Sequence, residues 1–215
     1  MPETETRQQL PDYYPCVARD VMEMCRPREG VWLDLGCGSG PVAFALAELS
    51  DSLLVLADPN REALSEAVHR SEELGLRRRT VAVAGRAEEL PLADGSVDLV
   101  VSRGSIFFWQ DRPAGVREVY RVLRPGGKAM LGGGLGSRYP AWARREFIKR
   151  RRESQRQKGP EAMRRFRQVR RPETFRQWAE EAGLSDFRVV GEGGLPATDP
   201  ETGLGIWLLF EKETD

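Results

Sequence analysis

The sequence has 215 residues, no formal net charge and a hydrophobic fraction of 40%. These values are typical of one globular domain and exclude the disordered, collagenous and disulfide-rich classes. No run approaches the roughly 20 apolar residues of a membrane span, and the first residues lack the basic start and apolar core of a signal peptide, so we expect a cytoplasmic protein without a membrane partner. Three cysteines outside any C-x-x-C pair and one histidine argue against a metal site.

Apolar runs alternate with stretches of helical composition from residue 31 onward. The first run, residues 31–35, ends in a glycine-rich turn, after which Pro41 suits the first position of a helix. The strands then predicted cover residues 52–58, 80–85, 97–102 and 128–134, and the helices cover residues 60–74 and 113–123, with a stop at the Arg-Pro-Gly-Gly of residues 124–127. This alternation predicts an α/β fold with a parallel sheet, whose ligands bind at the carboxyl ends of the strands.

The last third of the chain departs from this alternation. Residues 144–171 hold thirteen Lys or Arg against three Glu, a net charge of +10, so the rest of the neutral chain carries −10. The window forms most of a basic insertion predicted to be helical over about 137–170, and it is the first place to seek an anion-binding role. A helix at 172–182 and a strand pair at 186–191 and 205–212 complete the predicted elements.

The strongest motif is the glycine turn itself, Asp34-Leu-Gly36-Cys-Gly38-Ser-Gly40. Alternate glycines allow a sharp turn and let a ligand approach the backbone, while the following helix presents free amides. A dinucleotide-binding turn would need glycine at position 41, where this chain has Pro41. A P-loop is also excluded, because the nearest Gly-Lys pair, at 127–128, opens a strand and lacks the hydroxyl residue.

These residues resemble the class I S-adenosylmethionine-dependent methyltransferases, whose first motif is an acidic residue followed by G-x-G-x-G after the first strand. Asp58 closes the second strand, about 20 residues downstream, where a carboxylate can accept both ribose hydroxyls. Residues 85–92, 97–102 and 119–127 are similar to the family's third-strand loop, fourth strand and turn before the fifth strand. The resemblance points to the small-molecule branch that includes quinone-biosynthesis enzymes.

The resemblance implies a Rossmann-like seven-stranded sheet, mostly parallel with an antiparallel last strand, and helices on both faces. It implies one domain over residues 1–215, with an N-terminal helical arm at 1–28. It also implies in-line methyl transfer from S-adenosylmethionine to a small-molecule acceptor, giving S-adenosylhomocysteine. The sequence leaves open whether the protein is a monomer or a homodimer. The cofactor-binding residues that it implies are Asp34, Gly36, Cys37, Gly38, Ser39, Gly40, Asp58, Pro59, Arg86, Ala87, Ser102 and Arg103.

Within that set the roles differ. Asp34 is expected near the cofactor's ammonium, Asp58 at the ribose and the Ala87 amide at the adenine. Arg86 stands where the family usually has a short polar residue, so it either removes an acceptor for the adenine amino group or stacks on the ring. The acceptor-side candidates are Tyr13, Tyr14, Ser105, Phe107, Phe108 and Trp109. No catalytic residue is assigned, since displacement from a sulfonium does not require a dedicated base.

Several alternatives stay open from the sequence. The glycine turn could be purely structural, Asp34 could cap the following helix, and Cys37 is expected to be a packing residue. The basic window could be a lid that turns two or three arginines toward an anionic acceptor, or a solvated surface or dimer contact. The window also keeps open a nucleic-acid acceptor, and a noncatalytic cofactor-binding module is the second alternative function.

Overall fold

A seven-stranded sheet forms the centre of the computed structural model, which describes residues 9–197 and 205–214. Its strands are β1 (Val31–Leu35), β2 (Leu53–Asp58), β3 (Thr80–Ala84), β4 (Val97–Arg103), β5 (Leu123–Gly133), β6 (Arg188–Val190) and β7 (Ile206–Glu211). They lie in the order β3-β2-β1-β4-β5-β7-β6. The first five are parallel, and β7 runs antiparallel to both β5 and β6. The predicted Rossmann-like, mostly parallel sheet is confirmed.

Helices cover both faces of the sheet because the buried strands are apolar on both sides. The helices are α1 (Tyr14–Cys25), α2 (Pro41–Ala47), α3 (Arg61–Glu73), α4 (Arg112–Val122), α5 (Ala141–Gln157), α6 (Pro160–Gln168) and α7 (Pro172–Glu181). In β1, Leu33 and Leu35 point into the core that α4 and α7 cover, whereas Trp32 points into the core under α1, α2 and α3. Among the described helices, none is long and apolar enough to cross a bilayer.

The N-terminal arm and the basic insertion meet at the carboxyl edge of the sheet. Of the arm predicted at 1–28, the described part is helical only in α1, and residues 1–8 lie outside the described residues. The segment predicted as a basic insertion contains α5 and α6. A small core joins arm and insertion, with Leu135, Tyr139 and Ala143 buried against Tyr13 and Phe147.

One predicted boundary was wrong. Residues 124–127 do not separate α4 from the next strand, because β5 already begins at Leu123, directly after α4. The pairing between β4 and β5 shifts from Val97 opposite Leu123 to Leu99 opposite Lys128, so the Pro-Gly-Gly residues lie in a bulge. A proline without an N–H and a glycine with φ of +74° at position 126 fit such a bulge, which is why these turn formers occur inside a strand.

Candidate functional site

A cavity of about 640 Å³ lies at the carboxyl ends of β1, β2, β3 and β4. Its size is in the range of small-molecule sites. In the sheet, β1 lies between β2 and β4, so the strand order reverses direction at β1. Open α/β sheets bind ligands at such a switch point. The lining residues are Leu35, Gly36, Gly38, Asp58, Pro59, Gly85, Arg86, Ala87, Glu88, Arg103, Gly104, Ser105, Phe108, Trp109 and Gln110.

Two glycines of the turn are needed for different reasons. Gly36 has φ of +70°, and a Cβ there would lie 2.1 Å from the Cβ of Ser105, so its role is close packing. Gly38 has φ of +55°, and a Cβ there would meet no atom within 4 Å, because this residue faces the open cavity. The turn is held to the next strand by the amides of Gly36 and Cys37, which donate to the carbonyl of Ala57 at 2.7 and 3.1 Å.

The carboxylate of Asp58 is held from two sides at the cavity edge. Its Oδ2 accepts from the amide of Gly38 at 2.9 Å, and its Oδ1 accepts from the amide of Asn60 at 2.8 Å. Each carboxylate oxygen retains a further lone pair for a ligand hydroxyl. The geometry therefore presents a fixed, charged acceptor to the cavity beside an exposed glycine backbone.

Asp34 lies beneath the turn and outside the residues that line the cavity. Its side chain is 4% exposed, and its Oδ2 accepts from the amide of Ala43 in the first turn of α2 at 3.1 Å. Burial raises the pKa of this carboxyl to about 7, and the neighbouring Asp58 adds to the increase. The helix-capping role is therefore observed, whereas a contact with a ligand ammonium stays a prediction.

Three more turn residues and Ser102 also lie outside the cavity lining. Cys37 is buried, its thiol donates to the carbonyl of Gly38 at 3.4 Å, and burial raises the thiol pKa far above its usual range, as a packing residue requires. Gly40 precedes α2 and donates to the carbonyl of Cys37, while Ser39 is half-buried in the turn.

No described group of three or more His, Cys, Asp or Glu side chains could hold a metal ion.

The loop after β3 forms the wall opposite the glycine turn. Ala87 is buried in it, and Arg86 is half-exposed and pairs with Glu88, with 3.5 Å from Nε to Oε2. Glu88 Oε1 accepts from the amides of Gln110 and Asp111 at 2.6 and 3.1 Å. Partial burial would raise the pKa of Glu88, but these hydrogen bonds and Arg86 outweigh it and lower the pKa. Glu88 thus ties the loop after β3 to the loop after β4.

The loop after β4 is organised by the hydroxyl of Ser105. This hydroxyl donates to the carbonyl of Leu35 at 2.8 Å, accepts from the indole Nε1 of Trp109 at 3.1 Å and lies 2.6 Å from the hydroxyl of the buried Ser102. Trp109 is only 7% exposed, whereas Phe108 is 86% exposed and lines the cavity. Ser105 therefore holds the loop that presents Phe108.

Three other acceptor-side candidates do not line the cavity. Phe107 faces away from the cavity and packs against Phe175 and the guanidinium of Arg170. Tyr13 and Tyr14 also lie outside the lining, but their rings stack on Arg103, whose guanidinium carbon is 4.3 and 5.3 Å from the two ring centroids. The lining residue Arg103 thus connects the cavity to the N-terminal arm.

Five lining residues were not among the predicted site residues: Leu35, Gly85, Glu88, Gly104 and Gln110. Each is the direct sequence neighbour of a predicted residue, so extending each predicted set by one residue would have found them. Gly104 carries the clearest signal, since a glycine directly after a strand often adopts positive φ, and here φ is +92°.

Comparisons with known proteins agree with this geometry. Residues 33–131 match a family model described as a methyltransferase domain. The chain is 34% identical over 100 residues to the 27-O-demethylrifamycin SV methyltransferase of Amycolatopsis mediterranei, covering 46% of this chain and 37% of that protein. It is 36% identical over 101 residues to the ubiquinone/menaquinone biosynthesis C-methyltransferase of Rickettsia prowazekii, covering 45% and 41%. The matches span about two fifths of these relatives' length.

A solved structure extends the likeness to nearly the whole chain. A protein of Methanococcus maripaludis, described as a candidate S-adenosyl-L-methionine-dependent methyltransferase, aligns with a TM-score of 0.75 and 28% identity, covering 94% of this chain and 86% of that one. The family match, the sheet order and the glycine turn beside Asp58 all agree with the resemblance predicted from the sequence. Residues 33–131 therefore carry a methyltransferase domain, and nearly the whole chain is similar in structure to an S-adenosylmethionine-dependent methyltransferase.

Proposed function

We propose that this protein transfers a methyl group from S-adenosylmethionine to a small-molecule acceptor and releases S-adenosylhomocysteine. The observation that carries the proposal is the cavity at the switch point, where Gly38, Asp58, Ala87 and the loop after β4 border one space. The named relatives are methyltransferases of a rifamycin and of quinones, which supports a small-molecule acceptor.

The residues around the cavity fit this cofactor. Gly38 leaves its backbone open to a ligand, and Asp58 offers carboxylate oxygens to a pair of ribose hydroxyls. Gly36, Pro59, Arg86 and Ala87 line the same space. Asp34, Ser39, Gly40 and Ser102 lie outside the cavity lining, and a direct contact between them and the cofactor remains part of the proposal.

The chain contributes mainly position and exclusion of water. When bound, S-adenosylmethionine supplies a methyl group on a sulfonium centre, which is already an activated leaving group. Phe108 and Trp109 form an apolar wall near Arg103 and Gly104, where an acceptor can be held and desolvated. Of the carboxylates that line the cavity, Asp58 and Glu88, both already accept backbone hydrogen bonds. We therefore assign no general base.

The test has two parts, binding and transfer. Calorimetry should give micromolar binding of S-adenosylhomocysteine, and absence of binding would overturn the enzymatic role. Methyl-labelled S-adenosylmethionine should then be incubated with the protein and size-fractionated cell extract. We expect label in the small-molecule fraction, with less transfer by Asp58→Ala. Label found only in the RNA or protein fraction would show that the acceptor is a macromolecule and would overturn the proposed small-molecule acceptor. A cytoplasmic location and a monomeric or dimeric state stay predictions.

A further inference from the structure

A second, smaller cavity adjoins the first at the carboxyl ends of β4 and β5. Its volume is about 120 Å³, and it shares Arg103 and Gly104 with the large cavity. The lining residues are Arg103, Gly104, Gly133, Gly134, Leu135, Phe147, Arg151 and Arg170. Three guanidinium side chains therefore converge on a small space, and none of the lining residues is acidic.

Two of these arginines come from the basic insertion and stack on aromatic rings. The guanidinium carbon of Arg170 lies 3.7 Å from the ring centroid of Phe107 and 4.5 Å from that of Phe166. The guanidinium carbon of Arg151 lies 4.6 Å from the ring centroid of Phe166. This stacking fixes the planes of the guanidinium groups and leaves their N–H edges free to donate.

The three arginines have no carboxylate partner in the described part of the chain. In contrast, Arg144 of the same insertion pairs with Glu192. The Nε of Arg170 is buried and has no hydrogen-bond partner among the described residues. This buried nitrogen is not accessible to a ligand, but its lack of a partner shows that the described part of the chain does not offset the cost of burying the charge of Arg170.

The pKa values of Arg151 and Arg170 show that their positive charges repel their neighbours. Burial, and then the charges of Arg151 and Arg103, lowers the pKa of Arg170 to about 9. Burial, and then the charge of Arg152, lowers the pKa of Arg151 to about 10. Both groups remain protonated at neutral pH, so an oxyanion between them would relieve their repulsion.

The position of the small cavity relates it to methyl transfer. Arg103 and Gly104 border both cavities, and a Cβ at Gly104 would meet no atom within 4 Å, so the space beside Gly104 is open. A ligand whose anionic end occupies the small cavity can extend past Gly104 toward Phe108 in the large one. The anionic end would then fix the reacting part of the acceptor in place.

We propose that Arg103, Arg151 and Arg170 form an anion-binding subsite for the methyl acceptor, which is therefore a small molecule carrying a carboxylate or a phosphate. This inference rests on the proposed function. Carboxylates and phosphates are both oxyanions, and a guanidinium group binds either of them through paired hydrogen bonds. Of the thirteen cations in the basic window, the subsite uses two, and the third arginine comes from β4.

The test measures binding of two probes, inorganic phosphate and benzoate, by calorimetry at constant ionic strength. We expect Arg170→Gln and Arg151→Gln to weaken binding of the preferred probe at least tenfold. The matched controls are Arg145→Gln on α5 and Arg165→Gln on α6, which are exposed and should change binding by less than twofold. The probe that the unaltered protein binds more tightly identifies the anion as phosphate or carboxylate.

Equal weakening in the controls would indicate diffuse surface electrostatics and overturn the subsite, as would unchanged binding in both subsite variants. If Arg170→Gln does not fold, Arg170→Lys keeps the charge but loses the paired donors, and it should still weaken binding severalfold. S-adenosylhomocysteine affinity should stay within twofold in every variant. If the unaltered protein binds S-adenosylhomocysteine but neither phosphate nor benzoate, the subsite is overturned and the proposed function is not. If it does not bind S-adenosylhomocysteine, the proposed function is overturned.

Discussion

The carboxylate of Asp58 accepts a hydrogen bond from the amide of Gly38 at 2.9 Å, across 20 residues of sequence. This bond joins the end of β2 to the glycine turn after β1. Because the same carboxylate also accepts from the amide of Asn60, it is oriented before any ligand arrives. The turn and the acidic residue therefore act as one preformed unit at the cavity edge.

Replacing Asp58 by Ala should weaken S-adenosylhomocysteine binding by about ten- to a hundredfold, since a hydrogen bond to a charged group is worth about 1.5 to 3 kcal/mol. Calorimetry measures the effect. Asn60→Ala is the matched control, because Asn60 caps α3 through the amide of Glu62 and should cost only about 1 kcal/mol of stability. An unchanged affinity in Asp58→Ala would remove this residue from the binding site.

Substitution of Gly38 tests whether the open backbone serves a ligand. Gly38→Ala should abolish S-adenosylhomocysteine binding while costing about 1 kcal/mol of folding stability, because its φ of +55° is unfavourable for alanine. Gly75→Ala is the matched control, with φ of +70°, no atom within 4 Å of a Cβ and a position outside the cavity lining. Equal losses of stability with retained binding in both variants would make the turn merely structural.

The sequence predicted the sheet well because buried parallel strands are short apolar runs and the turns between them carry glycine. It misplaced the start of β5, since proline and glycine at 125 and 126 are typical of a chain stop and only the pairing with β4 reveals a bulge. The late strand β6 is also shorter than expected, at three residues, because its pairing with β7 spans only Arg188 to Val190. Such limits come from tertiary pairing, which local composition does not encode.

In the candidate site too, some features could be predicted from the sequence and others could not. Positions fixed by strand ends, such as Gly38, Asp58 and Ala87, could be predicted because strand ends meet at one edge. The direction of a side chain within a loop could not, and so Phe107 and Phe108, adjacent in sequence, face opposite ways. It could also not be predicted that Arg170 lines the small cavity, because the basic window at 144–171 contains many arginines that look alike in sequence.

Ser105→Ala should destabilise the protein by about 1 to 3 kcal/mol, because it leaves the Nε1 of Trp109 and the hydroxyl of Ser102 without a partner. Urea denaturation measures this loss. Ser96→Ala is the control, since its exposed hydroxyl donates only to the carbonyl of Ala93 and its loss should cost less than 1 kcal/mol. Equal stability of Ser105→Ala and the unaltered protein would show that the loop after β4 is held by packing alone.

The ionisation of Asp34 predicts a pH dependence of stability. Burial raises its folded pKa to about 7 from the ordinary value of 3.8, so between these pH values the folded state binds more protons than the unfolded state. The contribution of Asp34 to stability is therefore fully present below about pH 4 and is lost as the pH rises through 7, by up to about 4 kcal/mol. Above pH 7 this contribution is constant.

Asp34→Asn isolates this contribution. The amide oxygen of Asn can still accept from Ala43, and no charge is buried, so at pH 8 the variant should be at least as stable as the unaltered protein. Urea denaturation from pH 5 to 8 should give a stability difference that shifts toward the variant as the pH rises, since Glu88 and the other carboxylates are common to both proteins. A difference independent of pH would mean that Asp34 titrates normally. If the Asp34 charge also attracts the cofactor's ammonium, S-adenosylhomocysteine should bind more weakly to the variant at pH 8, and equal affinities would leave Asp34 with its helix-capping role alone.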